Sequence, residues 1–194
     1  MPAQLPTDLP IKLFKTEAAW EKWLSAHADA PGAWLKIAKK DTGVTSVSYA
    51  QALDVALCHG WIDGLKRACD EQYFLQRFTP RRAKSLWSKI NVGKVEQLVA
   101  AGRMRPGGQR EVDAAKADGR WEAAYHAASG MQPPPELAAA LAKNAKARKF
   151  FETLDGANRY AFCWRVHTAK KVETKQARVE KFIAMLARGE KIHA

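Results

Sequence analysis

Two short segments with period-two alternation, Trp61–Arg67 and Tyr73–Phe78, constrain the fold more than any other part of the chain. Alternate residues of a strand face opposite sides of a sheet, and the five residues between the segments are enough for a hairpin loop. We therefore predict an antiparallel hairpin across Ala68–Gln72. Its simplest register places four residue pairs opposite one another: Arg67 with Tyr73, Leu65 with Leu75, Asp63 with Arg77, and Trp61 with Thr79.

This register divides the hairpin into an apolar face and a polar face. The apolar face, which we expect to cover a core, carries Ile62, Gly64, Phe74 and Phe78. The polar face carries Trp61, Asp63, Arg67, Tyr73, Arg77 and Thr79. Guanidinium groups beside large aromatic rings are typical of anion-binding or polar-ligand surfaces.

A cationic run, RRAKSLWSKIN (81–91), follows the hairpin and leads into a predicted helix. Hydroxyl groups and the first amides of a helix are natural donors to phosphate or carboxylate. We therefore predict one ligand-binding site built from the polar face and this run. Its predicted residues are Trp61, Asp63, Arg67, Tyr73, Arg77, Thr79, Arg81, Lys84, Ser85, Trp87, Ser88 and Asn91.

Structural interpretations of the same residues stay open beside this one. Asp63 and Arg77 form either a simple ion pair across the hairpin or a pair that orients one guanidinium toward a ligand. Either Ser88 or Asn91 is expected to cap the helix that follows, while Trp87 packs into the core.

Capping residues and apolar spacing predict the other elements. Residues 33–39 fit a strand, Thr16 is a helix N-cap, and Ser48 with Gln51 forms a capping box. The prolines at 133–135 are the best linker candidate. Beyond them, helices are predicted at 136–143, 145–154, 158–169 and 174–188.

The predicted fold class is therefore α+β, with a domain at 1–132 and a helical lobe at 133–194. In the first domain a small antiparallel sheet (33–39, 61–67 and 73–78) is backed by helices.

Charge is unevenly distributed along the chain. The net charge is +12, yet residues 1–60 carry six basic and six acidic residues, and residues 134–194 carry thirteen basic and six acidic ones. Such a field attracts phosphates and other anions, so an anionic small molecule is the expected partner and nucleic acid is an alternative. The alternative rests on the basic residues of the C-terminal segment: Lys170, Lys171, Lys175, Arg178 and Lys181.

Three cysteines without C-x-x-C spacing argue against a disulfide framework and for a reducing compartment. The N-terminus has no signal-peptide pattern, and no apolar run approaches the ~20 residues of a membrane span. We expect a cytoplasmic protein without integral membrane association.

Catalytic patterns are weak. Cys58 and His59 are adjacent on a predicted helix and point about 100° apart, which suits a nucleophile and its base poorly. No His or Cys cluster has zinc spacing, and no phosphate-binding loop motif is present. We predict no catalytic residue, no metal and no cofactor; an enzyme acting on a phosphorylated or carboxylated metabolite is a third hypothesis.

Four motifs stand out along the chain: ALCHGWIDG (56–64), RFTPRRAKSLWSKIN (77–91), GRMRPGG (102–108) and TAKKVETKQARVEKFIAMLARGE (168–190). Together they resemble the YdeI/OmpD-associated family, a bacterial group also described as bacteriocin-protection. The resemblance spans nearly the whole chain, although His59 stands where the family usually has an aromatic residue. It implies a contribution to tolerance of antimicrobial peptides, a helical C-terminal domain from about Pro133, and a YjbR/CyaY-like arrangement of the N-terminal part.

Overall fold

The computed structural model describes residues 5–126 and 131–193 of the chain. It divides into two compact units, one spanning Met1–Ala124 and the other Tyr125–Ala194. Four strands and eight helices are present in the described residues, so the α+β prediction is confirmed. The domain boundary predicted after residue 132 stays a prediction.

The N-terminal unit is built on a four-stranded mixed sheet. Its strands are β1 (Ile11–Lys12), β2 (Ala33–Ala38), β3 (Trp61–Ala68) and β4 (Tyr73–Pro80), in the order β1-β2-β4-β3. The three predicted strands are therefore present. The sheet is not purely antiparallel as predicted, because the two-residue strand β1 joins its edge parallel to β2.

Four helices complete this unit: α1 (Glu17–Ala26), α2 (Tyr49–Cys58), α3 (Lys89–Ala100) and α4 (Pro106–Ala117). Their ends follow the predicted capping chemistry. The hydroxyl of Thr16 accepts a hydrogen bond from the Ala19 amide at the start of α1, and Ser48 and Gln51 form the reciprocal capping box of α2. Ser88, rather than Asn91, caps α3.

One face of the sheet packs on these helices and forms the core. Ala33, Leu35 and Ile37 of β2 belong to the buried cluster, together with Trp61 and Phe78 of the hairpin strands. Trp34, which alternates with the core residues of β2, is also buried but lies on the other face. Burial on both faces of β2, an inner strand of the sheet, indicates that a segment of the chain covers Trp34.

Glycines allow α2 and α4 to meet at backbone distance. A methyl group added at Gly108 would lie 2.2 Å from the Cys58 carbonyl oxygen, and one at Gly107 would lie 2.8 Å from the His59 oxygen. Gly60, which ends α2 with φ +80°, is equally close to the Gly107 oxygen. The motif GRMRPGG therefore serves the packing of two helix ends in this unit.

The C-terminal unit is helical over its described residues. Its helices are α5 (Pro135–Lys143), α6 (Ala145–Thr153), α7 (Gly156–His167) and α8 (Val172–Ala187). Each matches a predicted helix to within two residues. Leu137, Phe151, Phe162, Phe182 and Leu186 are among the residues of its own buried cluster. Within the described ranges, no helix is both long and apolar enough to cross a membrane.

Candidate functional site

The register of the hairpin differs from the predicted one. Near its open end Asp63 lies opposite Phe78, and near the loop Arg67 lies opposite Leu75, with an irregularity between Asp63 and Lys66. The predicted pairs Asp63–Arg77 and Arg67–Tyr73 are therefore wrong. The prediction assumed a regular ladder, whereas an extra residue on β3 shifts the pairing by one position partway along.

This shift separates Asp63 from Arg77. Asp63 shares the face of Phe78 and accepts a hydrogen bond from the Tyr49 hydroxyl at 2.8 Å, on the side of α2. Arg77 occupies the opposite face and pairs with Asp8, at 3.3 Å between Nη2 and Oδ2. Neither interpretation of an Asp63–Arg77 pair holds, because the two side chains project from opposite faces of the sheet.

Two arginines of the predicted polar face come together over Trp34. The guanidinium carbons of Arg67 and Arg77 lie 5.7 and 5.9 Å from the centroid of the Trp34 ring. Both distances are within the range of cation–π attraction. The indole is 1% exposed, so it serves as a buried floor beneath the two cations.

The segment that precedes β1 closes this arrangement. Asp8 accepts a hydrogen bond from the Trp34 indole at 2.9 Å and pairs with Arg77 through its other oxygen. The Trp34 hydrogen bond, followed by the charges of Arg77 and Arg67, lowers the pKa of Asp8 below its ordinary value. Asp8 is therefore a carboxylate at neutral pH.

A cavity of about 400 Å³ opens at this point. We call it the arginine cleft, and it is lined by Leu5, Pro6, Thr7, Asp8, Trp34, Leu65, Arg67 and Arg77. Within the described part of the chain, the buried Nε of Arg77 has no hydrogen-bond acceptor. A buried donor left without an acceptor is uncommon and costly, so a ligand oxygen that reached it would gain a strong contact.

Tyr73 and Thr79, the other members of the predicted polar face, do not line the cleft. Lys36 places its ammonium 4.6 Å from the Tyr73 ring and pairs with Asp70 at 3.2 Å. Tyr73 therefore belongs to a neighbouring surface network on the same face. Thr79 lies opposite Ile62, close to Gly32 at the end of the sheet.

Trp61 occupies the core rather than the polar face. Its side chain is 2% exposed and meets Trp20 edge to face at a centroid distance of 6.2 Å. Asp63 is held by Tyr49, whose pKa is raised by burial and by the hydrogen bond to that carboxylate. These two predicted site residues therefore lie on the helix side, away from the arginine cleft.

The cationic run after β4 folds on itself. The Arg81 guanidinium lies 3.6 Å from the centroid of the Trp87 ring and donates to the Leu86 carbonyl at 3.3 Å. Arg120 donates to the Ser85 carbonyl at 3.1 Å. These contacts order the loop, and Lys84 turns it with a left-handed φ of 68°.

The start of α3 agrees with the structural interpretation, in which one residue caps the helix and Trp87 packs into the core. The Ser88 hydroxyl accepts a hydrogen bond from the backbone amide of Asn91 at 3.2 Å, which is an ordinary helix cap. Trp87 is 2% exposed and packs against Trp121 at 4.9 Å between centroids. The ligand role predicted for these residues stays a prediction, and a structural role accounts for their present contacts.

The basic residues predicted for nucleic acid in the C-terminal unit are spread over several environments. Lys175 pairs with Glu136 at 2.9 Å, and Arg178 donates to the Arg165 carbonyl. Lys170 and Lys171 are exposed before α8. A role in nucleic-acid binding stays a prediction.

Cys58 and His59 lack the environment of a catalytic pair. Burial raises the pKa of the Cys58 thiol to about 11, so the thiolate is scarce at neutral pH. Burial also lowers the pKa of His59, although Glu21, 3.9 Å from its Nε2, opposes that shift. Over residues 5–126 and 131–193, no cluster of His, Cys, Asp or Glu is arranged to hold a metal.

Sequence reasoning missed Trp34 and Asp8, which complete the arginine cleft. Trp34 had a usable signal, because alternation along AWLKIAK puts Trp34 and Lys36 on the face opposite Leu35 and Ile37. No sequence signal marked Asp8, since it lies in an irregular proline-rich stretch and its partners, Trp34 and Arg77, are distant in sequence.

Two family models match the chain. Residues 12–111 match a family described as a domain of unknown function (DUF8412). Residues 131–189 match the family described as bacteriocin-protection, YdeI or OmpD-associated. The resemblance stated from the sequence is confirmed for the C-terminal segment, whereas the motifs at 56–64, 77–91 and 102–108 lie within the range of the other model.

No curated protein and no solved structure matches the chain. The YjbR/CyaY-like arrangement therefore stays a prediction.

Proposed function

We propose that this chain, which belongs to the DUF8412 family by its match over residues 12–111 and matches the YdeI/OmpD-associated, bacteriocin-protection family over residues 131–189, is a binding protein of the bacteriocin-protection type. Its N-terminal unit binds a small anion, a phosphate or a carboxylate, in the arginine cleft.

One observation carries this proposal: Arg67 and Arg77 both lie over a single buried indole, and no described residue accepts a hydrogen bond from the buried Nε–H of Arg77. The flat ring holds both guanidinium planes in place before any ligand arrives, so little side-chain entropy remains to be lost on binding. Arginine forks bind phosphate and carboxylate through paired hydrogen bonds, which favours anions over neutral ligands.

The charge of the cleft supports the same conclusion. The lining residues that the structure describes carry two guanidinium groups and one carboxylate, that of Asp8, which leaves an excess of one positive charge. Arg67 is exposed beside Arg77, so an incoming anion can contact Arg67 first and then share Arg77 with Asp8.

This chemistry also constrains how tolerance to antimicrobial peptides could arise. Such peptides are commonly cationic, and the chain itself carries a net charge of +12. Since like charges repel, direct capture of cationic peptides by charge is unfavourable. The protein would instead act indirectly, through the anion that it binds.

The proposal is tested with the full chain by titration calorimetry against pyrophosphate, adenosine monophosphate and citrate, with thermal denaturation in parallel. At least one of these anions should bind and raise the melting temperature in proportion to its concentration. Arg67→Gln should weaken that binding by roughly tenfold, because it removes a charged donor worth about 1.5 kcal/mol without breaking an ion pair. Arg82→Gln is the matched control, since Arg82 is exposed and does not line the cleft.

Two outcomes would contradict the proposal. Arg67→Gln and Arg82→Gln could bind the anion equally well, or none of the three anions could bind at low ionic strength. In a bacterial strain whose peptide tolerance depends on this protein, Arg67→Gln should also reduce survival while Arg82→Gln preserves it.

A further inference from the structure

The C-terminal unit contains a second basic cavity, of about 450 Å³. We call it the tail cavity, and it is lined by Arg165, Arg178, Lys181, Phe182, Met185, Lys191 and Ile192. None of these residues belongs to the arginine cleft. The volume falls within the range of about 300–1,000 Å³ that is usual for small-molecule sites.

The helical wall of the tail cavity is set by the spacing of α8. Arg178, Lys181, Phe182 and Met185 recur at three- and four-residue intervals, so they share one face of the helix. Arg178 is further fixed by its hydrogen bond to the Arg165 carbonyl on α7.

The opposite wall is the segment after α8, and a buried asparagine holds it in place. The Asn158 side chain is 2% exposed and accepts hydrogen bonds from the amides of Ile192 and His193, at 3.1 and 2.9 Å. Its amide group also donates to the His193 carbonyl at 3.3 Å. Lys191 and Ile192 are therefore presented to the cavity by a fixed backbone.

Among the described residues, the charged side chains at the rim of the tail cavity are all positive. The seven lining residues include four cations, Arg165, Arg178, Lys181 and Lys191, and no carboxylate. Unlike Arg77 in the cleft, these cations face no acidic residue within the lining. Such a rim attracts an anion strongly.

The floor is apolar, which distinguishes the ligand from a simple phosphate. Phe182 belongs to the buried cluster of this unit, and Met185 and Ile192 pack against that cluster while partly exposed. Thioether and branched aliphatic side chains adapt well to hydrocarbon. A ligand that pairs with the cations of the rim and also contacts the apolar floor carries one anionic head and one apolar chain.

Two larger partners fit less well. Nucleic-acid bases stack on exposed rings, whereas Phe182, the ring in this lining, is 5% exposed. A membrane surface favours several exposed apolar side chains, but in residues 131–193 Val172 is the one large apolar residue that is strongly exposed, and it does not line this cavity.

We propose that the tail cavity binds a single-chain anionic amphiphile, with a phosphate or carboxylate head, as a monomer from solution. The cations hold the head, and Phe182, Met185 and Ile192 receive the first part of the chain.

The test is calorimetric titration of the full chain with dodecyl phosphate, kept below its micelle concentration. Dodecanol and inorganic phosphate serve as the chain-only and head-only probes. In the Arg67→Gln variant, in which the arginine cleft is weakened, we expect one dodecyl phosphate per chain, with each partial probe at least about tenfold weaker, since each lacks one of the two contributions.

Two charge-matched double variants locate the binding. Lys181→Gln with Lys191→Gln should weaken dodecyl phosphate binding by at least about fivefold. Lys170→Gln with Lys171→Gln removes the same charge outside the cavity and should change affinity by less than about twofold. Arg67→Gln should leave it unchanged, which separates this site from the arginine cleft.

The proposal is overturned if both double variants lose affinity equally, because the effect would then be a general one of net charge. It is also overturned if dodecanol binds as tightly as dodecyl phosphate, or if binding begins only at micelle formation. Tight binding of a single-stranded oligonucleotide, weakened by the Lys181 and Lys191 changes, would instead assign the cavity to nucleic acid.

Discussion

Replacing Gly108 by alanine probes the contact between the ends of α2 and α4 directly. The added methyl carbon would lie 2.2 Å from the Cys58 carbonyl oxygen and 2.7 Å from both the Cys58 carbonyl carbon and the Leu57 oxygen. Real contacts of this kind essentially never fall below 3.0 Å. The two backbones must therefore separate by at least the difference between 3.0 and 2.2 Å, which is 0.8 Å.

Two contributions lower the stability of Gly108→Ala, and one opposes them. Overpacking of this kind costs about 1–3 kcal/mol, and here the obstacle is backbone that cannot rotate away. The same shift disturbs the hydrogen bond from the Arg105 amide to the Cys58 carbonyl, 3.0 Å long, which is worth about another 1 kcal/mol. Against this stands a gain of about 1 kcal/mol from the better helix propensity of alanine. We expect Gly108→Ala to lower the free energy of unfolding by about 1–3 kcal/mol.

Gly93→Ala is the matched control. Gly93 also lies inside a helix, α3, but an added methyl group there meets nothing within 4 Å. The propensity gain is then unopposed, and the variant should be more stable by up to about 1 kcal/mol. Urea unfolding followed by tryptophan fluorescence measures the free energy of unfolding of both variants, since six of the seven tryptophans lie in the N-terminal unit. Stabilities within about 0.5 kcal/mol of one another would refute the packing argument.

Two further predictions concern charge. Asp8→Asn keeps an oxygen acceptor for the Trp34 indole but removes the carboxylate that competes for Arg77. Binding of pyrophosphate to the arginine cleft should therefore strengthen severalfold in calorimetry, and unchanged affinity would mean that Asp8 does not compete. His59 has its pKa lowered by burial, so the unfolded chain binds more protons below about pH 6.5 and stability falls as the pH drops through that value. His59→Phe should flatten this fall in urea unfolding measured from about pH 7.5 to 5.5, and an equally steep curve would remove His59 as its cause.

The sequence predicted the elements well because their signals are local. Ser48 and Gln51 cap α2 through contacts three residues apart, and Gly60 ends it by a conformation that glycine adopts freely. Neither requires knowledge of the rest of the fold. The same reasoning offered Ser88 or Asn91 as the cap of α3, and Ser88 is the residue that caps it.

The hairpin register was predicted wrongly because it does not depend on local signals alone. Alternation predicts a face only while the pairing is regular, and the irregularity between Asp63 and Lys66 shifts the pairing by one position. Nothing local marks that position beyond Gly64, which is a permissive residue for such a bulge. As a result Trp61 and Asp63 were assigned to the wrong face, while Arg67 and Arg77 were correctly grouped.

The two proposed basic sites differ in chemistry, and this difference would let the charge of the protein serve selective binding. In the arginine cleft, Asp8 neutralises part of the field, so affinity depends on the geometry of Arg67 and Arg77 more than on charge alone. In the tail cavity no lining carboxylate offsets the cations, and selectivity has to come from the apolar floor around Phe182. Ligands of the cleft should therefore be discriminated by the shape of their anionic group, and ligands of the cavity by their hydrocarbon chain. A ligand that bound both sites with equal affinity would contradict this division.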